Sequence, residues 1–155
     1  MKKATIGFCL KNDQVLLAMK KRGFGVGKWN GYGGKINENE SAKSAMTREL
    51  KEESNLVVYE KDLEQVGIIK FYFEEEPAFE CSVYLIYNWR GNPVETEEMR
   101  PQWYSIKELP LKEMWVADTK WLPLVLGGKK IDVKVNFNAD GSAVKDFSHK
   151  PAEFD

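Results

Sequence analysis

Histidine and cysteine are scarce in this 155-residue chain: His149 stands alone, and Cys9 and Cys81 are the only thiols. No Cys/His spacing of a zinc site occurs. The two cysteines lie far apart in apolar, strand-like runs, which reads as reduced core residues rather than a disulfide framework. His149 sits in a polar stretch before Lys150-Pro151 and reads as an exposed tail residue without a catalytic or metal role. An excess of either charge is also lacking, with 23 basic against 24 acidic residues. That balance argues against a protein that wraps nucleic-acid backbone, which shows a basic surplus. One local cluster would still suffice for a small charged ligand. Long hydrophobic runs are missing as well: nothing approaches the roughly 20 apolar residues that span a bilayer. The short apolar start gives way to Lys11-Asn12-Asp13-Gln14, unlike a signal peptide, so no membrane partner is expected and the cytoplasm is the expected location. No repeat or linker interrupts the chain. It reads as one domain over 1–155, with a C-terminal hairpin and tail at 138–155.

What the chain does have is a clear order of elements. Residues 4–10 and 15–19 read as two strands joined at Asn12-Asp13. The stretch 22–35 holds six glycines and reads as an irregular loop that lets backbone approach a ligand. A helix is expected over 41–54, with Ala42, Ala45, Met46 and Leu50 as its apolar stripe and Asn39 or Ser41 as N-cap. Residues 64–73, 79–89 and 101–106 read as strands, 106–110 as a short helical turn, and 118–126 as a second helix before Gly127-Gly128. A last hairpin is expected from 131–137 and 144–147. The pattern predicts an α+β fold, a mixed sheet flanked by helices.

Within the first helix, Glu49, Glu52 and Glu53 stand at i, i+3 and i+4 and share one face. Like charges at that spacing oppose the helix by roughly 0.2–0.5 kcal/mol per pair. Taken alone, the three would be an ordinary solvated face. Following a glycine turn, they predict a hard cation with oxygen ligands, hence a metal and phosphate site. The whole segment is similar to the Nudix box, Gly-x5-Glu-x7-Arg-Glu-hydrophobic-x-Glu-Glu-x-Gly-hydrophobic. Gly34, Glu40, Arg48, Glu49, Leu50, Glu52, Glu53 and Leu56 fall in register. The departure is Asn55 in place of the second glycine, and Asn is the next best residue for a left-handed helix end.

Resemblance to the MutT branch of the Nudix family extends beyond the box, through Lys20 to Lys35, Glu97 to Pro101, Met114-Trp115 and Trp121 to Leu124. It implies the Nudix fold, a mixed β-sheet sandwiched between α-helices. It also implies hydrolysis of a purine nucleoside triphosphate to the monophosphate and pyrophosphate, with oxidised purines such as 8-oxo-dGTP and 2-hydroxy-dATP as substrates. Mg²⁺ is the implied cofactor, with Mn²⁺ as a substitute. Its implied ligands are Glu49, Glu52, Glu53 and the Gly33 carbonyl, joined by Glu98. Glu53 is the first choice for the water-activating carboxylate and Glu98 the second, while Arg48 pairs with Glu40 to fix the helix against the loop. Lys20, with Lys21 and Arg22, precedes the glycine loop within reach of phosphates.

The same resemblance implies a base pocket of Thr5, Asn30, Phe71, Phe73, Trp115 and Asp118. Phe71 and Phe73 are two apart on a strand and so face one side; Trp115 offers a stacking surface; Asn30 and Asp118 offer polar groups to a purine edge. Core packing for the aromatics and an N-cap for Asp118 are the plain alternatives. Ala117 stands where relatives have a first aspartate, which predicts a narrowed or shifted base choice. A broader pyrophosphohydrolase acting on undamaged nucleotides or dinucleoside polyphosphates is the alternative enzyme. A nucleotide-binding module without catalysis is opposed by the complete set of box carboxylates. A monomer is expected, with the nucleotide as the only partner.

Overall fold

The computed structural model describes residues 1–155. Strands β1 (Lys2–Lys11) and β2 (Gln14–Lys20) form a hairpin whose turn residues Asn12 and Asp13 both adopt positive φ, 50° and 64°. Those are the non-glycine types that tolerate the left-handed region best. Next come β3 (Trp29–Asn30), β4 (Tyr32–Lys35), helix α1 (Ala42–Ser54), β5 (Leu63–Phe73), β6 (Glu76–Ile86) and β7 (Met99–Ser105). Helix α2 (Asp118–Leu126), β8 (Ile131–Phe137) and β9 (Val144–Pro151) complete the chain. The strands run β3-β2-β1-β6-β5-β8-β9, with β4 also paired to β1 and β7 to β2. The β1/β6 and β5/β8 pairs are parallel and the others antiparallel, so the sheet is mixed. No helix is long and apolar enough to cross a membrane.

Alternation along β1 sends Phe8 and Leu10 to one face and Cys9 to the other. On the first face α2 contributes Trp121, Leu122 and Val125 to a core with Val15, Leu17 and Val133. On the second, α1 contributes Met46 and Leu50, with Ala42 packed alongside, against Leu16, Tyr32, Tyr84 and Ile86. The sheet is thus sandwiched between the two helices, as expected. Both thiols are buried, which pushes each up to about 12 and suits inert core groups.

Helix α1 begins and ends on specific side chains. Ser41 Oγ accepts the Ser44 N–H at 3.0 Å, whereas Asn39 lies outside the helix with φ 66°. Asn55 takes the left-handed position (φ 67°), its N–H bonding the Lys51 carbonyl and its Oδ1 accepting Lys51 Nζ at 2.7 Å. Losing the cap in Ser41→Ala is expected to cost about 1 kcal/mol, or about 2–4 °C in a melting curve, with turnover unchanged. An unchanged Tm would mean the cap contributes nothing.

Four expectations are corrected. The stretch 22–35 is not wholly irregular, since it holds β3 and β4. β6 stops at Ile86 rather than 89, because its pairing ends there: β5 begins at Leu63, opposite Ile86, and β1 beyond Cys9 pairs with β2 rather than β6. The helical turn expected at 106–110 forms instead as a 3₁₀ turn at Leu111–Glu113, just past Pro110. Finally, β9 continues to Pro151, and His149 lies opposite Val133 on this edge strand rather than in a tail. The polar composition that disguised β9 is normal for a sheet edge.

Candidate active site

The site is built where β4 passes under the last turns of α1. A Cβ on Gly33 would lie 1.9 Å from the Thr5 carbonyl oxygen, and one on Gly34 would lie 2.7 Å from Glu49 Oε1. Only glycine lets β4 pair with β1 this closely and still admit the Glu49 carboxylate. The Gly33 N–H donates to Glu53 Oε1 at 3.0 Å, which ties that side chain to the strand. Arg48 braces the other side of the helix. Its Nε and Nη2 grip the two Glu40 oxygens at 2.8 and 2.9 Å, and Nη2 also donates to the Lys35 carbonyl at 3.1 Å. The Arg48 hydrogen bond, with help from the Asn37 N–H, holds the Glu40 carboxyl down at about 2.

The acidic face opens into a cavity of about 340 Å³ lined by Glu49, Glu52, Glu53, Thr96, Glu97 and Glu98 and by nothing apolar. Burial pushes the Glu53 carboxyl up to about 7, opposed by the Gly33 N–H; neighbouring Glu49 and Glu98 raise it and Lys20 lowers it. Burial likewise raises Glu49 against the pull of Arg48. The carboxylates do not converge into a closed cage of three. Arg48 Nη1 instead stands as counter-cation between Glu49 Oε1 (3.0 Å) and Glu52 Oε2 (3.4 Å). An all-oxygen donor set with uncompensated negative charge fits a hard divalent cation.

Beside it lies a second cavity of about 440 Å³ whose walls are largely aromatic: Phe24, Phe71, Phe73, Phe79, Trp115, Trp121 and Phe137. Phe71 stacks between Phe79 and Phe137, at centroid distances of 4.5 and 5.9 Å, and Phe73 stacks on Phe137 at 5.1 Å. The polar groups in it are few. Thr5 Oγ1 is engaged with Met46 Sδ; Asn30 Oδ1 accepts the Gly31 N–H at 2.9 Å, which leaves its NH₂ as a free donor. Asp118, only 6% exposed, has no partner for Oδ2, and the Trp121 indole N–H is also unpartnered. Burial pushes Asp118 up to about 7; the Trp121 indole, near it but outside good hydrogen-bond geometry, the Trp115 backbone and Lys28 pull it back. A buried polar pair left without partners is a place for a ligand's own polar edge.

All the residues expected around a base, Thr5, Asn30, Phe71, Phe73, Trp115 and Asp118, border this aromatic cavity, as do Lys20 and Gly33. Glu49, Glu52, Glu53 and Glu98 border the acidic one, and Arg48 borders neither. Sequence reasoning missed Phe24, Lys28, Phe79, Trp121 and Phe137. Phe24, 87% exposed on the glycine loop, stacks on Trp115 at 5.1 Å, and Lys28 Nζ lies 5.4 Å over the same indole. Trp121 stands three residues after Asp118 in one helix, a spacing that could have flagged it.

Residues 1–125 match the NUDIX domain, and the chain belongs to the Nudix family. Hydrolases of this family depend on a divalent metal. Among its relatives is the oxidized purine nucleoside triphosphate hydrolase of Danio rerio, 44% identical over 127 residues that cover 81% of this chain and 80% of that protein. The Mus musculus protein of the same description is 43% identical over the same shares. In fold, the chain superposes on the MutT protein from Bacillus halodurans with a TM-score of 0.81 at 22% identity, covering 99% of this chain and 100% of that one.

Proposed function

We propose that this Nudix hydrolase cleaves oxidised purine nucleoside triphosphates, 8-oxo-dGTP and 2-hydroxy-dATP among them, to the monophosphate and pyrophosphate, keeping damaged nucleotides from polymerases. The observation that carries this reading is that Glu53 borders both cavities. A ligand with its base in the aromatic cavity and its phosphates at the acidic one would bring the diphosphate bridge beside that carboxylate. The names of the Danio rerio and Mus musculus relatives point to the same substrate class.

In this reading Mg²⁺, replaceable by Mn²⁺, is held by Glu49, Glu52, Glu53, Glu98 and the Gly33 carbonyl. Bound there, it would supply positive charge at the diphosphate oxygens and a more acidic water. Glu53 takes the water's proton, its carboxylate oriented by the Gly33 N–H. Glu98 is the second candidate for that role. Arg48 keeps α1 and the Glu40 turn in register without touching the substrate. Lys20 neutralises phosphate oxygens. Trp115 stacks on the purine, worth about 1–3 kcal/mol. Phe71 and Phe73 form the apolar wall, and Thr5, Asn30 and Asp118 meet the polar edge. The near-even charge supports a free nucleotide rather than nucleic-acid backbone as the partner; the reading also takes the protein as a cytoplasmic, single-domain monomer without a membrane partner.

The test is kcat/KM with Mg²⁺ for 8-oxo-dGTP, 2-hydroxy-dATP, dGTP and dATP on one preparation. At least one oxidised substrate is expected to exceed its undamaged parent by tenfold or more. Equal rates would keep the diphosphate chemistry and refute the choice of oxidised bases.

A further inference from the structure

Each basic side chain at the end of β2 already has an acidic partner on the 95–98 loop. Lys20 Nζ lies 3.7 Å from Glu98 Oε2, and Arg22 Nη2 lies 3.6 Å from Glu98 Oε1 and 3.4 Å from Glu97 Oε2. Lys21 Nζ is 2.6 Å from Glu95 Oε2 and also donates to the Thr96 carbonyl at 2.8 Å. The links differ in kind. Lys21 is held short and doubly, while the two contacts to Glu98 are long and half-exposed. The backbone beneath them is fixed: Lys21 N–H donates to the Glu98 carbonyl at 2.8 Å. The Glu98 and Met99 N–H groups share Thr96 Oγ1 at 3.3 and 3.1 Å. Glu98 is therefore anchored by its main chain, with a side chain restrained only by two weak ion pairs. Lys20 borders the aromatic cavity and Glu98 the acidic one, so this pair bridges the two.

We propose that Lys20 and Arg22 hold Glu98 in a resting ion pair, and that the substrate's phosphate oxygens displace it from them, releasing the Glu98 carboxylate to the cation site. Phosphate binding then completes the metal ligands. The inference rests on the proposed roles of Glu98 at the metal and Lys20 at the phosphates. In the resting arrangement each residue is held back from its role by the other, at a cost of about 1 kcal/mol or less. Phosphate oxygens are strong partners for both cations. The half-exposed pairs they replace are worth about 1 kcal/mol or less, so the exchange is easy. An incoming polyphosphate also faces five carboxylates around the acidic cavity. Taking the cations from Glu98 gives it the positive charge it needs at the moment Glu98 gains a cation partner of its own.

The experiment is a double-mutant cycle read by binding rather than turnover. Mn²⁺ affinity without nucleotide is measured by electron paramagnetic resonance for Glu98→Gln in the native chain and in a Lys20→Met/Arg22→Met background. Glu98→Gln is expected to weaken Mn²⁺ about three- to fivefold more in the background lacking both cations, where Glu98 is free from the start. A weakening of equal size in both backgrounds overturns the exchange and leaves Glu98 as a ligand. No weakening in either background overturns its place at the metal as well. A second arm reads the phosphate side, using a fluorescent non-hydrolysable nucleoside triphosphate in EDTA. Glu98→Gln is expected to tighten that ligand about three- to fivefold more in the native chain than in the Lys20→Met/Arg22→Met background. Equal tightening overturns the displacement step.

Discussion

Glu53→Gln is expected to lower kcat by about 10²–10⁴ while the protein stays folded and the nucleotide still binds. The amide is isosteric with the carboxylate, and its oxygen can still accept the Gly33 N–H, so the anchor between β4 and α1 survives. What it loses is the capacity to take a proton and a charged oxygen beside the diphosphate. In EDTA, where no cation occupies the site, stability should not fall, because the native carboxyl is already strained electrostatically. Burial, with Glu49 and Glu98 nearby, raises it from 4.5 to about 7. A carboxyl raised in the folded state costs stability once pH exceeds its unfolded value, and the neutral amide removes that cost. The measurement is kcat and KM with Mg²⁺ alongside a melting curve in EDTA at pH 8. Unchanged turnover would remove Glu53 from the chemistry. The same measurements on Glu98→Gln, with Mg²⁺ raised to saturation for each variant, decide between the two carboxylates, since the base is the one whose amide loses more kcat once the metal site is full.

Why Glu53 was legible in the sequence while parts of its surroundings were not follows from the range of the interactions involved. Helix α1 is a local object: the i, i+3, i+4 acids, the Ser41 cap, the left-handed Asn55 and the Arg48–Glu40 grip all lie within sixteen residues. Phe71 and Phe73 share a face by strand alternation, another short-range rule. Their stacking partners Phe79 and Phe137 reach them only through the pairing of β5 with β6 and β8, which no local pattern announces. The end of β6 was invisible for the same reason, because it is set by where β5 begins and where β1 leaves β6 for β2. The start of β9 was legible at 144–147, but its extension to Pro151 was hidden by composition, since an edge strand carries polar residues like a tail. The ion pairs from Lys20, Lys21 and Arg22 to the 95–98 loop join segments more than seventy residues apart, and only their charge complementarity was on view.

Asp118→Asn is expected to stabilise the protein and impair its choice of base. Asp118 is 6% exposed with an unpartnered Oδ2, and burial raises its carboxyl from 3.8 to about 7. Between those values the folded protein keeps a proton that the unfolded chain has released, so stability falls as pH rises through the window and levels off above it. Asparagine stays neutral throughout. The variant should therefore match the native protein near pH 4 and exceed it at pH 8, with a ceiling of about 4 kcal/mol for a shift of roughly three units. A Tm difference that is the same at both pH values would show that the charge on Asp118 is not its source. The functional loss comes from the same atom. An ionised Oδ2 accepts donors from a purine edge, and the amide places a donor there instead. Ala117 beside it is buried and apolar, so no second carboxylate can take over. A site that leaves a buried polar edge unpaired discriminates strongly, and kcat/KM for the preferred oxidised nucleotide should drop by about 10–200-fold. Because Asp118 lies in the aromatic cavity and not the acidic one, the Mn²⁺ affinity of the free enzyme should not change. On the proposed reading, the position trades stability at working pH for recognition of the base.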